Sequence, residues 1–206
     1  MFFSGPRRQY FFTGSFSRDE DVQLFQLTVL NPSTVTVRTL SYAGGINAAG
    51  MLIPAGGFDT YLALFDSQGR LLDQSDDQPD IGSALAGLQF DATIQQALSA
   101  GSYTIALSQF DSFAIGPTLS NGFLNHGTTN FTKDFGCSNG SFCDFLGNNR
   151  TPYWAVDFLN VTSASEANNA VPEPSSWLLI GLGLTGISIR LGQLYKQRCP
   201  VDKEMP

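Results

Sequence analysis

Residues 58–72 read FDTYLALFDSQGRLL, and this stretch predicts a β-hairpin. Its first half is apolar through Phe65, and its last two residues are leucines that begin a return strand. Between them lies the turn DSQG, whose Gly69 adopts positive φ without steric cost. An acidic loop, residues 73–80, follows the return strand.

Further strand patterns occur on both sides of the hairpin. They cover residues 21–30, 34–40, 88–94, 103–110 and 154–161. Residues 94–98 fit either a strand or one helical turn, and the Gly- and Ala-rich residues 41–57 predict a long loop. Short strands without helical periodicity before residue 176 favour an all-β fold, an antiparallel β-sandwich of jelly-roll type over residues 10–165.

The composition describes an acidic, strand-rich chain. It has 206 residues, 17 of them Phe and 21 Gly, and a net charge of −7. Residues 1–170 contain seven basic and fifteen acidic side chains, a net charge of −8. Because nucleic acids and anionic lipids are themselves negative, this charge argues against both as partners.

The C-terminal 36 residues have a different character. A proline-rich stretch precedes an apolar segment, residues 177–195, and a basic cluster. A helix over that segment would span roughly 28 Å, close to the ~30 Å hydrocarbon core of a membrane. Arg190 would lie in the last turns of this helix and reach the interface, and the positive-inside rule keeps Lys196 and Arg198, beyond it, cytoplasmic and directs residues 1–170 outward. The alternative is a buried core helix. The residues concerned are Val171, Pro172, Glu173 and Pro174 in the first part and Arg190, Lys196 and Arg198 in the basic cluster.

This three-part tail resembles the PEP-CTERM sorting signal of exported bacterial proteins. The resemblance covers residues 171–198, with residues 166–170 as a linker before them and residues 199–206 as a short tail after them. It implies an exosortase as partner, processing near Pro-Glu-Pro, and a protein of the cell envelope or extracellular matrix that is transiently anchored in the membrane. Met1 to Gly14 contain no 7–15-residue apolar run of the kind found in export signals. We therefore expect either a start upstream of Met1 or a tail helix that inserts by itself.

A second resemblance covers the body of the chain. Residues 19–25, 58–77 and 100–105 resemble a bacterial pre-peptidase C-terminal (PPC) domain, and most of residues 12–163 resembles a group of PEP-CTERM proteins with no assigned activity. PPC domains are accessory β-sandwiches, some of which bind calcium, collagen or polysaccharide. No catalytic domain accompanies the pattern in this sequence.

Aspartates are dense between positions 59 and 80, where six occur. Ca²⁺ takes 6–8 oxygen ligands at about 2.3–2.6 Å in loose geometry, so carboxylates clustered on loops suit it. The alternative is that Asp66 caps its turn, Asp73 faces solvent and the others keep the protein soluble. The predicted Ca²⁺ ligands are Asp19, Asp21, Asp59, Asp76 and Asp77.

Cys137 and Cys143 enclose five residues that include Asn139 and Gly140, a pair suited to reverse the chain. In an exported protein this spacing predicts a disulfide, with two free thiols as the alternative.

Two classes of function remain. The first is a non-enzymatic surface or matrix protein, stabilised by calcium and able to bind extracellular polysaccharide. The second is a hydrolase acting on such a polymer. His126 is the only histidine, so any Ser–His–Asp triad would have to use it, and the sequence favours the first class.

Overall fold

The computed structural model describes residues 8–77 and 90–167. The chain divides into two units, Met1–Pro172 and Glu173–Pro206, and every described residue belongs to the first. The predicted C-terminal helix, the sorting residues 171–174 and the basic cluster all lie outside the described residues.

The first sheet has four antiparallel strands, β1 (Arg8–Ser15), β3 (Ser33–Thr39), β8 (Thr93–Leu98) and β10 (Tyr153–Val161). Their order in the sheet is β1-β10-β3-β8. Alternation along β3 places Val35 and Val37 inside the molecule and leaves Thr36, which lies between them, partly exposed.

The second sheet has five antiparallel strands, β2 (Gln23–Val29), β6 (Thr60–Phe65), β7 (Leu71–Ser75), β9 (Gly101–Gln109) and β11 (Ser163–Glu166). Their order in the sheet is β11-β2-β9-β6-β7. A small separate hairpin consists of β4 (Gly45–Ile46) and β5 (Leu52–Ile53). Two short 3₁₀ helices, η1 (Leu119–Asn121) and η2 (Phe131–Phe135), lie in the long connection between β9 and β10.

One hydrophobic core joins the two sheets face to face. Phe25 and Ile105 of the second sheet and Val37 and Phe158 of the first belong to the same buried cluster. The rings of Phe25 and Phe158 lie 5.2 Å apart. Burial of each such side chain stabilises the fold by about 1.5–3 kcal/mol. The described residues therefore form an all-β, sandwich-like domain.

Strand β6 is buried along its whole length because both of its faces are covered. Leu62 and Leu64 enter the main core, whereas Tyr61 and Phe65 join a second cluster with Phe123 from the long connection. This double burial explains the continuous apolar run that predicted the hairpin.

The predicted hairpin is confirmed in detail. Strands β6 and β7 pair antiparallel from Leu62↔Ser75, and Gly69 has φ +74°. The Asp66 carboxylate accepts hydrogen bonds from the backbone N–H groups of Gln68 and Arg70, each at 2.9 Å. These backbone bonds, with that from Arg70 the largest influence, lower the pKa of Asp66. The alternative role for Asp66, capping its turn, is therefore the one that the structure shows.

Three expectations need correction. The predicted strand over residues 88–94 begins instead at Thr93 and runs to Leu98, which also shows that residues 94–98 are strand and not a helical turn. The predicted long loop over residues 41–57 contains the β4–β5 hairpin. Strands β1 and β11 were not predicted.

Candidate functional site: a buried aspartate with acidic neighbours

Asp59 lies immediately before β6 and is 1% exposed. Its backbone carbonyl accepts a hydrogen bond from the N–H of Phe110 at 2.9 Å, which places it beside the end of β9. Within the described residues, neither of its carboxylate oxygens has a hydrogen-bond partner. Because a buried charge without partners is costly, this side chain calls for either a proton or a cation.

Two of the other predicted ligands belong to the same neighbourhood. Asp76 and Asp77 follow β7, and the antiparallel pairing of β6 with β7 brings the end of β7 to the beginning of β6. Burial raises the pKa of Asp59, and the negative charges of Asp77, Asp76, Asp144 and Asp91 raise it further, to about 9. Burial and then the charge of Asp76 also raise the pKa of Asp77. Asp59 is therefore protonated at neutral pH unless a cation compensates these charges.

Asp59, Asp76 and Asp77 do not form a complete metal site in this structure. Across residues 8–77 and 90–167, no group of three or more His, Cys, Asp or Glu side chains is placed to hold a metal ion. Asp59, Asp76 and Asp77 would have to approach one another more closely, and carbonyl or water oxygens would have to complete the 6–8 ligands that Ca²⁺ takes.

Asp19 and Asp21 have other hydrogen-bond partners in the structure, and their place in the five-residue ligand set stays a prediction. Asp21 accepts hydrogen bonds from the backbone N–H groups of Ser17 and Arg18, at 2.8 and 2.9 Å, and closes the turn before β2. Asp19 is fully buried, and its Oδ2 accepts bonds from the hydroxyl and the N–H of Thr132, at 2.6 and 3.0 Å. Both carboxylates hold backbone in place.

Two acidic neighbours of Asp59 were not among the predicted residues. Asp91 accepts bonds from Thr39 Oγ1 and from three successive backbone N–H groups, those of residues 41–43. It thereby fixes the beginning of the loop that carries the β4–β5 hairpin. Because Asp91 adjoins the strand predicted in the wrong place, the sequence pattern did not single it out.

Asp144 anchors a tight turn and a tyrosine. It accepts bonds from the N–H groups of Leu146 and Asn148 and from the hydroxyl of Tyr42. Burial pushes the pKa of Asp144 upward, but hydrogen bonds from Asn148, Tyr42 and Leu146 outweigh it and lower the pKa. The signal in the sequence was the D-F-L-G-N pattern, in which an aspartate precedes a glycine by three residues, as in a side-chain-capped turn.

The guanidinium of Arg150 stacks over the ring of Tyr42, 3.5 Å from its centroid, and donates to the carbonyls of Tyr42 and Gly57. Burial, followed by the bond to Asp144, raises the pKa of Tyr42 to about 12. The guanidinium of Arg150 contacts these two carbonyl oxygens and the Tyr42 ring, so it does not neutralise the Asp59 carboxylate by direct contact.

The predicted disulfide is present in the structure. Cys137 and Cys143 are bonded, with their Cα atoms 5.4 Å apart. Gly140 has φ +70°, which matches its expected place in the turn. The N–H of Cys143 donates to the same Thr132 hydroxyl that binds Asp19. The disulfide loop is thus joined to the turn before β2.

Comparison with known proteins bears on the tail. Residues 170–192 match the family described as the PEP-CTERM protein-sorting motif. The chain carries a PEP-CTERM sorting motif. The motif marks an exported protein of the cell envelope that an exosortase sorts, as its resemblance implied. A search of the curated proteins found no match. No helix in the described part of the chain is long and apolar enough to cross a membrane.

Proposed function

We propose that this PEP-CTERM protein is a non-enzymatic component of the cell surface or extracellular matrix, stabilised by calcium and able to bind extracellular polysaccharide. The described part of the chain is a β-sandwich-like domain. Its jelly-roll type and its resemblance to a PPC domain remain predictions. We also propose that residues 177–195 anchor the protein in the membrane until an exosortase processes the tail.

The observation that carries the proposal is the Asp59 carboxylate, which is buried, has no hydrogen-bond partner among residues 8–77 and 90–167, and lies beside Asp76 and Asp77. A polymer chain cannot reach a carboxyl group that is 1% exposed, which favours a structural cation over catalysis at this position. Ca²⁺ is the cation proposed because it prefers carboxylate oxygens, and extracellular calcium modules bind it at about 10⁻⁴–10⁻³ M.

The alternative function, a polysaccharide-acting hydrolase, is favoured by one observation. Glycosidases use a protonated carboxyl group near an ionised one, and the raised pKa of Asp59 beside Asp76 and Asp77 has that character. An acid in this role must touch the glycosidic oxygen, and the burial of Asp59 opposes this. Release of reducing ends from dextran or laminarin by the wild type but not by Asp59→Asn would establish the hydrolase.

The calcium proposal is tested by thermal melting of the full chain in detergent, with 10 mM CaCl₂ or with EDTA at matched ionic strength. Binding to the native state alone stabilises by about 2.7 kcal/mol at a hundredfold excess over Kd. At about 2–4 °C per kcal/mol for a chain of this size, the wild type should melt several degrees higher in calcium.

The variant Asp76→Asn/Asp77→Asn should lose this response. Its matched control is Asp134→Asn/Glu166→Gln, which removes two charges from exposed positions and should keep the wild-type response. Equal melting temperatures of the wild type in calcium and EDTA would eliminate calcium from the proposal.

Processing of the tail has a separate test. Mature protein from the envelope should lack Cys199 and the basic cluster, because cleavage near Pro-Glu-Pro removes everything that follows. Intact-mass spectrometry of this material gives the answer directly. A mass that still includes Lys196 and Arg198 would contradict processing at that position.

A further inference from the structure

The outer side of the first sheet contains an open hollow of about 580 Å³. It lies where Thr13 and Ser15 of β1 and Tyr153 of β10 meet a wall formed by Ile53 and Pro54. Ligand pockets commonly enclose about 300–1,000 Å³, so the hollow is large enough for a small ligand or for a few units of a polymer.

The lining of the hollow has no charge. None of the described residues that form it is acidic or basic, although residues 1–170 have a net charge of −8. Aliphatic side chains form one wall, and the exposed hydroxyl-bearing residues Thr13, Ser15, Thr151 and Tyr153 surround it. A ligand that combines apolar C–H faces with hydroxyl groups and carries no charge matches this surface.

Tyr153 supplies the aromatic face. Its side chain is 65% exposed, while Trp154, the next residue of β10, is buried among Phe16 and Phe25. Tyrosine presents a large rigid surface with one polar end and loses little conformational entropy on binding. A sugar ring can place its C–H face on such a ring and its hydroxyl groups against the surrounding Thr and Ser.

The wall opposite Tyr153 is already rigid. Thr151 N–H donates to the carbonyl of Gly56 at 2.9 Å, and Arg150 Nε donates to that of Gly57 at 2.8 Å. A Cβ on Gly57 would collide with the carbonyl oxygens of Tyr153 and Ser41, so the loop packs backbone to backbone against the beginning of β10 there. A site built in advance avoids the cost of ordering a loop on binding.

We propose that this hollow is a saccharide site that takes uncharged sugar units, with the Tyr153 ring as the stacking surface and the hydroxyls of Thr13, Ser15 and Thr151 as hydrogen-bonding groups. The inference rests on the polysaccharide-binding part of the proposed function and gives it a place and a ligand class. It is independent of calcium, because no carboxylate among the described residues lines the hollow.

The test measures binding of the full chain, in detergent, to dextran, laminarin and xyloglucan as neutral polymers and to alginate as an anionic one. Affinity electrophoresis detects binding, and isothermal titration gives affinities. We expect binding to a neutral polymer, unchanged in EDTA, and at least a tenfold loss in Tyr153→Ala. A second variant, Ala55→Trp, fills the hollow and leaves Tyr153 in place; it should also lose binding.

The matched control is Phe145→Ala, which removes another exposed aromatic ring, 63% exposed, that lies in the Asp144 turn and not in the lining of the hollow. It should bind as the wild type does. If the wild type binds a neutral polymer and both hollow variants bind equally well, this site is wrong and polysaccharide binding stands. If the wild type binds none of the neutral polymers, or only alginate, both this inference and the neutral-polysaccharide function fail.

Discussion

Asp19 and Asp59 are two aspartates with nearly the same burial, 0% and 1% exposed, and with different surroundings. Oδ2 of Asp19 accepts a short bond from the Thr132 hydroxyl and another from the Thr132 N–H, and only its Oδ1 has no partner among the described residues. Asp59 has no partner in the described structure and is surrounded by other negative charges. The difference shows that burial alone does not distinguish a structural carboxylate from a candidate binding group, whereas the accounting of hydrogen-bond partners does.

The largest expected effect is the pH dependence of stability without metal. The pKa of Asp59 is about 9 in the folded protein against 3.8 for the unperturbed group, so between these values only the unfolded chain gives up its proton. The free energy of unfolding in EDTA should therefore fall as pH rises from about 4 to 9, by up to about 1.4 kcal/mol per pH unit. Below pH 4 both states keep the proton and the effect vanishes.

The variant Asp59→Asn sharpens this prediction because an amide has nearly the shape of the protonated acid and does not titrate. In EDTA at pH 7–8 it should be at least as stable as the wild type, and its stability should vary less with pH. In calcium the order should reverse. Urea denaturation of both proteins at pH 5, 7 and 9 measures the free energies of unfolding that test these three expectations. An identical pH profile for the two proteins would show that Asp59 is ionised and compensated in some other way.

A smaller effect is expected at Asp19, and it is independent of calcium. The variant Asp19→Ala loses both bonds to Thr132, and a hydrogen bond to a charged group contributes about 1.5–3 kcal/mol. We expect the free energy of unfolding to fall by about 3 kcal/mol in calcium and in EDTA alike. The exposed Asp134→Ala should change it by less than about 0.5 kcal/mol. If Asp19→Ala instead abolished the calcium response, the two aspartates would share one site after all.

Much of the fold follows from the sequence because its strongest patterns are strands with a buried face. The hairpin of β6 and β7 and the strands β2, β3, β9 and β10 were predicted from such patterns. Strand β1 was missed because it contains Gly14, which in the sequence resembles the end of a strand pattern. In the structure a Cβ at this position would collide with the Trp154 ring, so the glycine makes room for a side chain on the neighbouring strand.

The candidate site was predictable only in part. Loop aspartates have the same appearance in sequence, so nothing distinguished Asp19, whose carboxylate binds Thr132, from Asp59, whose carboxylate has no partner in the described part of the chain. The approach of Asp76 and Asp77 to Asp59 follows from the hairpin, which was predicted. The contributions of Asp91 and Asp144 depend on contacts between segments more than 30 residues apart along the chain, and no local pattern encodes such contacts.

Strand β11 is the element that a pull on the C-terminal tail would reach first. The chain leaves the described structure at Ala167, directly after β11, and continues to the sorting motif. This strand lies at the edge of the second sheet and has only four register pairs with β2. Tension transmitted from the envelope would open these pairs one by one before it reached the nine-residue β10 inside the other sheet. A pull on the tail would therefore load this short edge strand first, and the core with the Asp59 neighbourhood only after it.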